Sequence, residues 1–96
     1  MQLSGKQIRH LRGLGHHLQP IVMIGRGELN ERVVASLEEA LSQHELIKVK
    51  LQEGCDLDRH EAAEEMARLT KSAVAQVLGK TILLYRRGED PQIKLP

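Results

Sequence analysis

Two short stretches of this sequence hold the residue types from which chemistry could be built, and both point at phosphate. The segment VMIGRGELNERV, residues 22–33, runs from apolar residues through Gly25, Arg26, Gly27 and Glu28 to Asn30, a residue type that caps helices. Glycine has no Cβ, so backbone N–H groups in such a corner can approach an anion closely. A helix starting next adds unpaired N–H donors and the positive end of its dipole. Arg26 supplies a charge-assisted donor whose fork matches phosphate. The same glycines also suit a bare strand-to-helix turn, and a carboxylate at Glu28 would repel an anion unless it points away or pairs with Arg26. The second stretch is residues 6–17. Arg9, Arg12 and His16 recur at i, i+3 and i+7, with Lys6 and His17 beside them, which makes one side of a helix cationic.

No other grouping supports a reaction. His44-Glu45 lacks the second histidine of an H-E-x-x-H zinc motif, and the adjacent His16 and His17 point about 100° apart on a helix and do not converge on a metal. Asp56, Asp58, Glu61, Glu64 and Glu65 gather where a helix is expected to begin, a place the helix dipole favours for acids without any chemistry. The lone Cys55 has no partner for an internal disulfide. The expectation is therefore a protein that is not an enzyme, with no metal, no cofactor and no small-molecule substrate.

Ninety-six residues, 41% hydrophobic and 28% charged, suit one domain, with a short tail at about 88–96. No run approaches the roughly 18 apolar residues of a membrane span, and MQLSGKQIRH has no signal-peptide core, so a cytoplasmic location without membrane contact is expected. The net charge is only +1, but the charges are segregated. Eleven of thirteen acids fall between Glu28 and Glu65, whereas residues 1–27 and 66–88 contain none. Folding that joins the two acid-free segments would make a cationic face for a polyanion. With no Trp, no Phe and only Tyr85, a stacking platform for single-stranded bases is not expected.

The elements that must position these groups are legible in turn. Ser4 and Gln7 form a capping box for a first helix whose Ile8, Leu11, Leu14 and Leu18 make an apolar side, and Pro20 ends it. PIVMIG reads as a short buried strand. Asn30 caps a second helix with Val33, Val34, Leu37, Ala40 and Leu41 inward. LIKVKLQ alternates as a strand with Lys48 and Lys50 on its wet side, and Asp58 with Glu61 caps a third helix. AVAQVLG and KTILLYR form a hairpin about Gly79-Lys80. The order α-β-α-β-α-β-β predicts an α+β fold, a two-layer mixed four-stranded sheet with packed helices.

LRGLGHHLQPIVMIG, LSQHELIKVKL and QVLGKTILLYRR resemble, in order and spacing, the three segments that mark the YhbY-like family, the stand-alone bacterial form of the CRM (chloroplast RNA splicing and ribosome maturation) domain. The resemblance spans residue 4 to the IKLP tail. It implies a fold similar to the C-terminal domain of translation initiation factor 3 with an added N-terminal helix. It also implies RNA as partner, 23S rRNA in precursors of the large ribosomal subunit. It casts Gly25, Arg26, Gly27 and Glu28 as the family's G-x-x-G loop, with Glu28 departing from the usual fourth glycine, and Arg12 as the best-matched cation of the first block. Arg9, His16, Lys6, Lys80 and Arg86 complete the expected RNA contacts. The arrangement requires the glycine corner and the cationic helix side to meet in a single pocket. The other function compatible with the charge pattern is a protein-interaction module that uses the acidic second and third helices.

Overall fold

The capping box forms: the Ser4 hydroxyl accepts from the Gln7 N–H at 3.2 Å and the Gln7 side-chain carbonyl accepts from the Ser4 N–H at 3.0 Å, starting α1 (Gly5–Gly15). A computed structural model describes residues 2–26 and 29–96 of the chain. Gly27, an expected RNA contact, and Glu28 lie outside the described residues. The chain continues through β1 (Pro20–Ile24), α2 (Glu31–Gln43), β2 (Leu46–Leu51), α3 (Arg59–Thr70), β3 (Ala73–Leu78) and β4 (Thr81–Tyr85). Asn30 caps α2 by accepting from the Val33 N–H, and Asp58 caps α3 by accepting from His60 and Glu61 at 2.9 and 3.0 Å. The bond from Glu61, then that from His60, outweigh the upward push of desolvation and hold the Asp58 carboxyl below its ordinary range.

The strands form one mixed sheet in the order β1-β2-β4-β3. β1 and β2 are parallel, joined by the α2 crossover; β4 runs antiparallel to both β2 and β3. Gly79 stands at the first central position of the β3–β4 turn with φ +59, a value the type II′ hairpin turn reserves for glycine. α2 and α3 cover one face, burying Ile24, Leu37, Val49, Met66, Ile82 and Leu84 among others. On the other face α1 covers only the end of the sheet where Leu46 pairs with Tyr85, packing Leu11 against Leu83 and Tyr85. Among the described residues the opposite end of that face is left open, with Met23, Lys50 and Leu78 exposed.

Two expectations change here. β1 is an edge strand, not a buried one: Val22 and Ile24 point to α2 and α3, but Ile21, at a register irregularity beside α2, and Met23, opposite Lys50, are 51% and 48% exposed. A continuous apolar run cannot distinguish a strand covered on both faces from an edge strand with an open one. Leu14, expected in the α1 core stripe, is 42% exposed. The helix meets the sheet through Leu11 and the buried Gly15 instead. A Cβ at Gly15 would lie 2.7 Å from Leu83 Cδ2 and 2.8 Å from Cδ1, so the absence of a side chain is what allows α1 to sit this close, and the closeness turns Leu14 to the rim.

The segment after β4 has neither helix nor strand, yet it is tied down. The Glu45 carboxylate accepts from the backbone N–H groups of Gly88, Gln92 and Ile93 at 2.8, 2.6 and 2.9 Å, and Ile93 and Leu95 pack beside Tyr85. Desolvation pushes the Glu45 carboxyl up, but these three bonds and the charge of Arg87 prevail, and its pKa lies below the ordinary value. The anchoring is therefore complete above the unfolded-state pKa of about 4.3 and is lost as pH falls through the lower folded-state value. Acid titration followed by amide NMR is expected to release the Gly88, Gln92 and Ile93 signals together, in one step centred below the ordinary glutamate range, while β2 and β4 amides stay protected. In Glu45→Gln the step should disappear.

Candidate nucleic-acid interface

The two acid-free segments meet, since α1 packs across β2, β4 and β3. Where the helix stops, its cationic side and the bare half of the sheet enclose an open groove of about 550 Å³. Arg9, Arg12 and His16 form its helical wall; Lys48, Gln76 and Thr81 rise from the sheet, between the side chains of Leu83 and the 67%-exposed Leu78. Among the described residues no carboxylate lines it, and neither Arg9 nor Arg12 has an ion-pair or hydrogen-bond partner. Cations that the fold leaves unneutralised around one concavity produce a focused positive potential. Lys6, one turn before Arg9, is exposed and extends the stripe toward the N-terminus. Lys48 also braces the fold, because its ammonium donates to the Leu18 carbonyl at 3.1 Å and holds the chain leaving α1 against β2.

The glycine corner lies elsewhere, at the end of the sheet. Gly25 follows the last residue of β1, and the Ile24 carbonyl accepts from the Gln52 N–H at 2.8 Å, so the corner caps the end of the sheet beyond Met23 and Lys50. Arg26 is exposed and its side chain lies over Gly54 in the β2–α3 loop; it does not line the groove. By strand register, Thr81 in the groove is two strands across and roughly two residues along from Gly25, on the order of 12 Å. The single pocket expected from the sequence is therefore two separate features, joined by an open stretch of sheet carrying Met23 and Lys50. Lys80 sits in the β3–β4 turn, where its carbonyl accepts from the Leu51 N–H, and so shares the corner's end of the sheet.

Arg86 is placed differently from the others. Its guanidinium donates to Glu38 at 2.7 Å, to the Thr70 carbonyl at 3.0 Å and to Ser42 at 3.4 Å, tying β4 to α2 and α3. That puts its charge on the side away from the groove and neutralises it, together with one of the acids of α2. Arg68 likewise pairs with Glu65 within α3. Sequence reasoning passed over Gln76 and Thr81, although Gln76 is the only polar residue of AVAQVL and Thr81 the only small polar one of TILLY, and that isolation was the available signal. Among the described residues no three of His, Cys, Asp and Glu converge on one point, and no helix is long and apolar enough to cross a membrane.

A three-helix, four-stranded α+β domain whose leading helix turns unpaired cations onto half of a bare sheet defines a class of small folds with a polyanion-fitting groove. Within it, the chain belongs to the CRS1/YhbY (CRM) domain family, whose model matches residues 3–86. It is 45% identical over 95 residues to a Haemophilus influenzae protein named "RNA-binding protein", covering 98% of this chain and 95% of that one. It is 41% identical over 95 residues to "Probable RNA-binding protein YqeI" of Bacillus subtilis, covering 98% and 99%. The solution structure of the hypothetical protein SAV1595 from Staphylococcus aureus superposes with a TM-score of 0.85 at 40% identity, over 99% of this chain and all of that one.

Proposed function

We propose that this protein binds structured RNA by its sugar-phosphate backbone and acts on precursors of the large ribosomal subunit, with 23S rRNA as partner. The observation that carries the reading is the groove itself: among the described residues Arg9 and Arg12 are unpaired and face a concavity without a carboxylate. Names of relatives at 41% and 45% identity support RNA as the polyanion, and the family resemblance supports the ribosomal setting. The strand enters against α1, crosses Lys50 on the bare sheet and leaves past Gly25, Arg26 and Lys80, so that two cationic ends grip one backbone several nucleotides apart. Shape selection dominates, because Trp and Phe are absent, Tyr85 is buried, and side chains do not read the deep, narrow major groove of A-form RNA.

Ultraviolet cross-linking in cells followed by sequencing of the attached RNA tests this directly. Reads concentrated in 23S rRNA, enriched in fractions that hold immature large subunits, are expected. Reads spread over messenger and transfer RNA in proportion to abundance would remove the ribosomal assignment, and recovery of no RNA would remove the reading altogether.

A further inference from the structure

We propose that Gln76 recognises the ribose 2′-hydroxyl, and so makes the groove selective for RNA over other polyanions; this rests on the reading that the groove holds an RNA backbone. In the strand register, β3 pairs Val74 with Leu84 and Gln76 with Leu83, so Ala75 has no partner of its own on β4 and forms a bulge. Side chains of a regular strand alternate, and without the bulge Gln76 would share the face of Val74 beneath α2 and α3. The extra residue reverses this. Ala75 and Gln76 both face α1, Val77 returns to the α2–α3 core, and Leu78 rises beside the groove. A bulge is a common device for re-aiming a side chain next to a functional site.

What is re-aimed is a carboxamide with two donors and an acceptor oxygen, and among the described residues it has no hydrogen-bond partner. The groups around it differ in kind. Arg9, Arg12 and Lys48 only donate, which suits phosphate oxygens but offers nothing to a hydroxyl proton. On the sheet floor the acceptors are Gln76 Oε1 and the hydroxyl of Thr81, its diagonal neighbour across the β3–β4 pair. A 2′-hydroxyl is both donor and acceptor, and it is the group by which a protein distinguishes RNA from DNA at a given position. With phosphates drawn to the helical wall, the sugar edge of the strand faces this floor.

The test compares the full-length protein and Gln76→Leu on an RNA hairpin, on the same hairpin fully 2′-O-methylated, which keeps the A-form shape but removes the hydroxyl proton, and on its DNA counterpart. Wild type is expected to prefer unmodified RNA over the methylated form by about fivefold, the worth of one hydrogen bond. Gln76→Leu should bind both forms with the affinity wild type shows for the methylated one, at an unchanged salt slope. Gln76→Met, equally long and without hydrogen-bonding groups, should repeat the result and guards against a folding defect peculiar to leucine. An equal loss on both forms, or an unchanged preference, overturns the assignment while leaving RNA binding in place. A wild type that binds none of the three probes overturns the RNA reading with it.

Discussion

Replacing Arg9 and Arg12 together with alanine is expected to weaken binding to structured RNA about 40-fold at 0.1 M salt and to flatten the log-log salt dependence by about 1.4 to 1.8. Each cation that neutralises a phosphate releases counterions worth roughly 0.7 to 0.9 in that slope. Extrapolated to 1 M, where the release term vanishes, wild type and variant should converge, and the decade from 1 to 0.1 M then opens the stated gap. Both side chains are exposed and unpaired, so thermal stability should be unchanged. Arg86→Ala supplies the contrast. It breaks the bond to Glu38 and leaves the Thr70 carbonyl without that donor, so it should destabilise the fold by about 1–2 kcal/mol and leave the slope alone. Fluorescence anisotropy at four or five salt concentrations reads the affinities and slopes and thermal denaturation reads the stabilities, and an unaltered slope in the double variant would show that the groove is not where RNA binds.

The second large effect concerns Gly15. Gly15→Ala should lower stability by about 1–3 kcal/mol, because the new methyl meets both Cδ atoms of Leu83 inside normal contact distance and Leu83, buried at 1% exposure, must leave its packed position to make room. Helix propensity opposes this with a gain of at most about 1 kcal/mol, and less in a last turn, so the clash prevails. Gly13→Ala, two residues earlier in the same helix, isolates the propensity effect: its Cβ would meet nothing within 4 Å. The expected outcome by differential scanning calorimetry is a rise in Tm of a few degrees for Gly13→Ala and a fall of roughly 5–15 °C for Gly15→Ala. Equal shifts for the two would mean that α1 does not rest on Leu83 as described. Since the clash lifts the helix that forms the cationic wall, Gly15→Ala should also weaken RNA binding.

What the sequence revealed, and what it withheld, follows from the range of the interactions. The α1 cap is a contact between residues three apart, the cationic stripe repeats once per turn, and the hairpin turn depends on Gly79; each can be read in a window of a few residues. The choice of α+β with a mixed sheet rested on the same local periods. The position of β4 between β2 and β3 is not local, and neither is the Glu45 anchor, whose partners lie 43 to 48 residues away. Gln76 was hidden for another reason. Period-two reasoning assigns it to the core face, and one unpaired residue reverses every assignment after it. The cations of the candidate site were thus visible from spacing, whereas the polar floor they surround depends on a bulge that no pattern announces.

The strand order has a consequence for synthesis of the protein. β4 is made after the other three strands of the sheet and occupies an interior place, where it bridges β2 and β3, which have no ladder with one another. A nascent chain halted anywhere before Thr81 can assemble β1, α2 and β2, but β3 has nothing to pair with and α1 has no Leu83 to rest on. Cooperative closure, and with it any capacity to grip a ligand, therefore waits until Thr81–Tyr85 has been made. An incomplete copy cannot compete with finished ones.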